Sequence, residues 1–167
     1  MAGSSRAEIL RASVIDRLCA RPGERPESQW FQGQDVRQLK AAVARDLAWL
    51  LNTRVWLPAD AAELEGLEQA RESILTYGIP DLSRFSWASP QDARTIGGLV
   101  ETAIRIFEPR LLPRTVKVEI LPNDDVADFS VKLRIEAVLY VEPIHEHVTF
   151  DSSADFEGGG IRIESFR

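Results

Sequence analysis

Two histidines, His145 and His147, have the spacing that most suggests metal chemistry. Positions two apart in a strand lie on one face, so both imidazoles could bind one zinc ion if a third ligand lay near. The chain has no other histidine, and a carboxylate such as that of Asp151 would have to complete the site. Because acidic residues flank the pair, we favour a solvated strand face and predict no metal site.

The other reactive side chains lack the partners that catalysis requires. Glycosidases need two carboxyl groups at a controlled separation, but 26 acidic residues supply many chance pairs, and Asp124-Asp125 falls in a predicted turn. The single cysteine, Cys19, has no evident base to activate it. Gly97-Gly98 lacks the lysine and threonine of a phosphate loop. We interpret the two glycines as residues whose lack of side chains allows a helix to approach the sheet closely. The sequence predicts neither an enzyme nor a cofactor.

The tripeptide Glu108-Pro109-Arg110 lies where a predicted helix gives way to a strand. Proline disfavours helical geometry at the residue before it, so the helix should end at Glu108. Arg110 offers a planar fork that suits a carboxylate or backbone carbonyl groups. Two interpretations stay open, a local ion pair and an exposed recognition pair. An exposed pair contributes only about 0–1 kcal/mol to folding, so in that case Arg110→Ala should disturb assembly more than folding.

Composition limits the kinds of partner. The chain has 167 residues and a net charge of −6, which favours one domain and argues against binding to nucleic acid or to an anionic membrane. A single cysteine excludes an internal disulfide framework. No apolar run approaches the roughly 20 residues that span a bilayer, and the first residues lack the apolar core of a secretory signal. We expect a soluble, cytoplasmic protein without direct membrane insertion.

Residues 1–34 are predicted to form a docking segment and a linker, ahead of a single α+β domain at 35–167. Apolar residues recur every fourth position early in this segment, which is typical of a short amphipathic helix. Prolines and glycines then mark residues 21–34 as a linker. The helix carries Asp16 and Arg17, and we hypothesise that it docks onto another protein.

The domain begins with helices. The first should start at Val36 and end where Asn52 adopts a left-handed conformation. Residues 55–83 give only a weak helical pattern. The helix with the clearest boundaries is capped by Ser89 and carries Pro90 in its first turn.

After the second long helix the apolar period changes to two, which indicates strands. Strands are predicted at 116–120, 129–141, 144–151 and 161–166. The glycine run at 158–160 should be a flexible turn, which leaves the strand of Ile161 and Ile163 the least anchored and makes its edge a candidate for strand addition. The predicted fold is α+β, with N-terminal helices packed on a mainly antiparallel sheet of about four strands.

Five stretches occur in order along the chain: SVIDRL at 13–18, RDLAWLLNTR at 45–54, SILTYGIPDL at 73–82, EPRL at 108–111 and VTFD at 148–151. Together they resemble the TssE family of type VI secretion baseplate subunits, within the wider group of baseplate wedge proteins of phage contractile tails. The resemblance runs from about residue 13 to residue 163.

This resemblance implies a structural role in a cytoplasmic baseplate, assembled at the inner face of the cell envelope, on which a contractile sheath begins to polymerise. The implied partners are the wedge subunits TssF and TssG and the sheath proteins TssB and TssC, with TssK as a further candidate. In this family the motif matched by Glu108, Pro109 and Arg110 is tied to sheath attachment. The alternatives are a soluble regulatory anti-adaptor with the same fold and a small hydrolase.

Overall fold

A computed structural model describes residues 36–56, 61–86, 89–121, 131–141, 144–155 and 160–167. Asp16, Arg17 and Cys19 lie outside the described residues, as does the predicted turn at Asp124-Asp125. The division of the chain at residue 35 stays a prediction.

Two long helices, α1 (Val36–Asn52) and α3 (Pro90–Phe107), form one layer of the domain. The single-turn helix α2 (Glu68–Arg71) lies between them in the sequence. The apolar stripe of α1 is buried, with Val43 and Leu47 fully enclosed. The α3 helix begins as predicted, since the Ser89 hydroxyl accepts a hydrogen bond from the Asp92 N–H. Helical periodicity therefore identified both long helices correctly.

The strands form one antiparallel sheet in the order β1-β2-β3-β4. They are β1 (Lys117–Leu121), β2 (Val131–Val141), β3 (Ile144–Asp155) and β4 (Gly160–Phe166). The α1 helix packs on β4 and α3 packs on β1, so the core lies between the helices and one face of the sheet. The predicted α+β fold is confirmed.

The predicted close approach of Gly97-Gly98 holds for one of the two glycines. A Cβ atom at Gly97 would lie 3.3 Å from the carbonyl oxygen of Val118, so α3 and β1 do approach closely there. A Cβ atom at Gly98 would meet open space, and the interpretation is wrong for that residue.

The segment between α1 and α3 is mostly exposed. Short 3₁₀ turns at Ala62–Leu64 and Ile74–Thr76 flank α2, and Leu64 is buried while Ile74 is 84% exposed. A parallel bridge between Arg54 and Ile79 fastens the end of the segment to the chain after α1. The weak helical pattern corresponds to isolated turns, because Leu67, Ile74 and Leu75, three of the apolar residues that form the pattern, are exposed.

Candidate functional site

The Glu108-Pro109-Arg110 tripeptide forms a tight turn that joins α3 to the sheet. The Leu111 N–H donates to the Glu108 carbonyl at 3.1 Å, which places Pro109 at the turn position that its fixed φ favours. The Arg110 carbonyl accepts a 2.8 Å hydrogen bond from the Tyr140 N–H on β2. One backbone hydrogen bond therefore closes the turn, and another fastens it to β2.

Arg110 is the centre of an ion-pair network that reaches α1. Its Nε donates to Glu108 Oε1 at 2.7 Å, and its Nη2 donates to both Glu108 Oε2 and Asp46 Oδ2, the latter at 2.6 Å. Glu108 is only 3% exposed, and the side chains of Arg110 and Asp46 are 22% and 20% exposed. One guanidinium therefore bridges two carboxylates from different parts of the fold.

The expectation that both charged side chains of the tripeptide lie exposed at a corner is wrong for Glu108. Its carboxylate turns inward because Arg110, held two residues away by the turn, supplies the opposite charge that a buried carboxylate requires. Pro109 is exposed and Arg110 is partly exposed. The local ion pair, one of the two interpretations left open by the sequence, describes this geometry.

The network also changes the acidity of its members. Burial alone would lower the pKa of the Arg110 guanidinium, but hydrogen bonds and charges from Glu108 and Asp46 outweigh it and raise that pKa. Burial first, and then the negative charges of Asp46 and Glu108, raise the pKa of the nearby Tyr77 hydroxyl. Arg110 is therefore a permanent cation in the folded protein, and Tyr77 is a neutral hydroxyl at physiological pH.

The network continues from Asp46 to the surface of α1. Arg45 donates to Asp46 Oδ1 through Nε and Nη2 at 3.0 and 2.9 Å, and its guanidinium lies 5.1 Å from the centre of the Trp49 ring. Trp49 is 47% exposed. Sequence reasoning assigned no role to Asp46, although Arg45 and Asp46 belong to one of the stretches that carried the resemblance.

The edge strand β4 is fixed to α1 by one side chain. The Ile161 N–H donates to Asn52 Oδ1 at 2.8 Å, and Asn52 Nδ2 donates to the Ile161 carbonyl at 2.7 Å. Ile161 is 4% exposed, and Ile163 packs against the core. The expectation that this strand is the least anchored is thus wrong at Ile161. The left-handed conformation predicted for Asn52 is also wrong, because no described non-glycine residue has a positive φ.

The opposite edge, β1, is fixed to α3 in a similar way. The Val118 N–H donates to Glu101 Oε1 at 3.0 Å, and Arg105 Nη2 donates to the Val116 carbonyl at 2.9 Å. Glu101 and Arg105 form an ion pair of 2.6 Å. Polar side chains of α1 therefore cover part of the outer edge of β4, and polar side chains of α3 cover part of the outer edge of β1.

The histidine pair lies on the open face of the sheet. His145 and His147 are both exposed, and the His145 ring lies 4.7 Å from the ring of Tyr140. Asp151 is bound by Arg134 at 2.8 Å and by Arg167 at 3.2 Å, and the hydrogen bond from Arg134 is the main cause that lowers the pKa of this carboxyl. Within the part of the chain that the structure describes, no three His, Cys, Asp or Glu residues could hold a metal ion together.

Fold and site together define the class of protein: an α+β domain in which polar and charged side chains of two helices bind a turn and both edges of an antiparallel sheet. None of the helices within the described ranges has the length and apolar character to cross a membrane. A family model described as baseplate wedge protein gp25 matches residues 37–144. That match covers more than half of the chain, and the chain belongs to this family.

The family match confirms the resemblance to contractile-tail baseplate wedge proteins and gives the chain a structural role in a phage-tail-like baseplate, with protein partners in that assembly. It includes α1, α3 and the Glu108-Pro109-Arg110 turn, and it ends at the start of β3. No match is found among curated proteins.

Proposed function

We propose that this protein is the TssE-type subunit of a type VI secretion baseplate, where it joins the wedge subunits TssF and TssG and starts assembly of the sheath formed by TssB and TssC. The family match over residues 37–144 carries this proposal, and the ordered stretches at 73–82 and 108–111 direct it to the secretion branch of the family. On this proposal the protein works in the cytoplasm at the inner face of the envelope, with TssK as a further neighbour.

Arg110 has the geometry to contact a sheath subunit. Its Nε and Nη2 donors are used by Glu108 and Asp46, whereas its Nη1 group donates to no residue in the described ranges. A guanidinium that is held in place by two carboxylates loses little freedom when it binds a third acceptor. We assign to Arg110 the recognition of a backbone carbonyl or carboxylate on the sheath, beside the exposed Pro109.

Two further contacts complete the proposal. The segment that carries Asp16 and Arg17 docks onto the wedge subunits. The edge of β4 accepts a strand from a sheath subunit at Ile163, beyond Ile161, whose backbone groups are bound by Asn52. An edge strand presents unpaired backbone groups to such a partner.

The turn is best tested by a substitution that leaves the buried ion pair intact. Pro109→Glu adds a charge at the exposed position between Glu108 and Arg110, and it should abolish fluorescent sheath filaments in cells while the purified protein still folds. Gln91→Glu adds the same charge at the exposed opposite end of α3 and should leave filaments normal. Normal filaments with Pro109→Glu would remove this surface from the contact.

The assignment to a secretion baseplate is tested by affinity purification of the tagged protein from its own cells, followed by mass spectrometry. We expect TssF and TssG among the recovered proteins, and their loss on deletion of residues 1–20. Recovery of phage tail components instead would place the chain in another branch of the same family.

A further inference from the structure

Among the described residues, β4 pairs with a strand on one side only. On its other edge, one position is occupied by a side chain that forms the hydrogen bonds of a neighbouring strand. A primary amide carries a donor and an acceptor, as a peptide group does. Asn52 exchanges both with Ile161, at 2.8 and 2.7 Å, which are the two hydrogen bonds that an added antiparallel strand would form at that residue. The backbone groups of Ile161 therefore point away from β3.

The rest of that edge is short and interrupted. Backbone direction alternates along a strand, so Ile163 is the next residue whose backbone groups face outward. The register between β3 and β4 then shifts, because Ser152 pairs with Ile163 while Asp151 pairs with Ser165. This shift leaves Glu164 opposite no partner, and such a bulge bends an edge strand.

We propose that Asn52 decides which strands can add to β4. It blocks pairing at Ile161, so that an added strand must begin at Ile163, and it shortens the regular edge that a second copy of this chain could use for pairing. Edge strands without such protection are templates for self-association. The proposal rests on the proposed function only in expecting a partner strand at this edge.

Gly160 supports this role of Asn52, because the Asn52 amide occupies the space that a side chain at position 160 would need. Its φ is +68°, and a Cβ atom there would lie 2.1 Å from Asn52 Oδ1. Only glycine leaves room for the amide beside the start of β4.

The first test is hydrogen exchange in the isolated protein. Asn52→Ala should lower the protection of the Ile161 amide by about tenfold or more, since that amide loses its acceptor. Asn52 Nδ2 also donates to the Ala48 carbonyl in the last turn of α1, at 2.6 Å. Thr53→Ala is the matched control, because it removes a similar hydrogen bond, from Thr53 Oγ1 to the Trp49 carbonyl. Unchanged protection of Ile161 in Asn52→Ala would overturn the assignment of Asn52 as its partner.

The second test is self-association, measured by sedimentation velocity over a hundredfold range of protein concentration. Asn52→Ala should associate at concentrations where the wild type and Thr53→Ala stay monomeric, and its Ile161 and Ile163 amides should become more protected as it does so. An Asn52→Ala variant that stays monomeric, or that associates without protecting these amides, would overturn the proposed exclusion of a second copy. Both tests use the isolated chain, so their outcome does not depend on whether it joins a secretion baseplate.

Discussion

Removal of the Arg110 side chain should destabilise the fold severely. Arg110→Ala leaves the carboxylate of Glu108, which is 3% exposed, without its two charged donors. Only the backbone N–H of residue 110, which donates to Glu108 Oε1 at 3.2 Å, remains. Breaking a buried pair from one side typically costs about 3–5 kcal/mol, because an uncompensated charge stays in the interior. This is a large part of the roughly 5–15 kcal/mol that stabilises a domain, and it far exceeds the small effect expected for an exposed pair.

The assay is thermal and urea unfolding of purified protein, followed by circular dichroism. For a chain of this length a loss of 1 kcal/mol lowers the melting temperature by about 2–4 °C, so Arg110→Ala should melt roughly 6–20 °C below the wild type at pH 7. Glu108→Gln should cost less, since Arg110 keeps its 2.6 Å contact with Asp46 and can still reach solvent.

A double variant separates buried charge from lost packing. Arg110→Ala combined with Glu108→Gln removes the same guanidinium but leaves no buried charge, so it should be more stable than Arg110→Ala alone at pH 7.

Two results would refute this reasoning. An Arg110→Ala variant that melts within about 2 °C of the wild type would show that the retained backbone N–H of residue 110, another donor or water is sufficient for the Glu108 carboxylate. A double variant no more stable than Arg110→Ala at pH 7 would show that the damage comes from lost packing.

Three further expectations concern other parts of the fold. Gly160→Ala should cost about 1–2 kcal/mol more in the wild type than in Asn52→Ala by urea unfolding, since only the first background contains the clash; equal costs would show that the two residues do not meet. Deletion of residues 1–20 should barely change the melting temperature while weakening recovery of TssF and TssG, and a large loss of stability would place that segment in the core. Because Tyr77 has a raised pKa in the folded state, wild-type stability should fall relative to Tyr77→Phe as the pH rises through about 10 and above; parallel stability curves would contradict this.

Periodicity predicted the two long helices and the first two strands of this fold. The three- and four-residue spacing of apolar residues located α1 and α3, and alternation located β1 and β2, because each element buries one face and solvates the other. Local signals such as Ser89 and Pro90 fixed the start of α3, since a helix cap acts within a few residues.

The side-chain contacts of the site could not be predicted in the same way. Asp46 meets Arg110 across 64 residues of chain, and Asn52 meets Ile161 across 109, distances over which sequence spacing carries no geometric information. Glu108 was misjudged because a charged residue at a helix end normally faces water. The burial of Glu108 depends on the guanidinium of Arg110, which the turn places against its carboxylate. Hydropathy is a property of single residues and does not indicate such a pair.

The hydrogen bonds of α1 have a mechanical consequence. Asp46 holds the turn and Asn52 holds the sheet edge, and six residues of helix place these two points about 9 Å apart along a stiff rod. A force applied to β4 would pass through the Asn52 amide into α1 and then through the Asp46 carboxylate to Arg110, so the sheet edge and the turn would bear the load as one rigid unit.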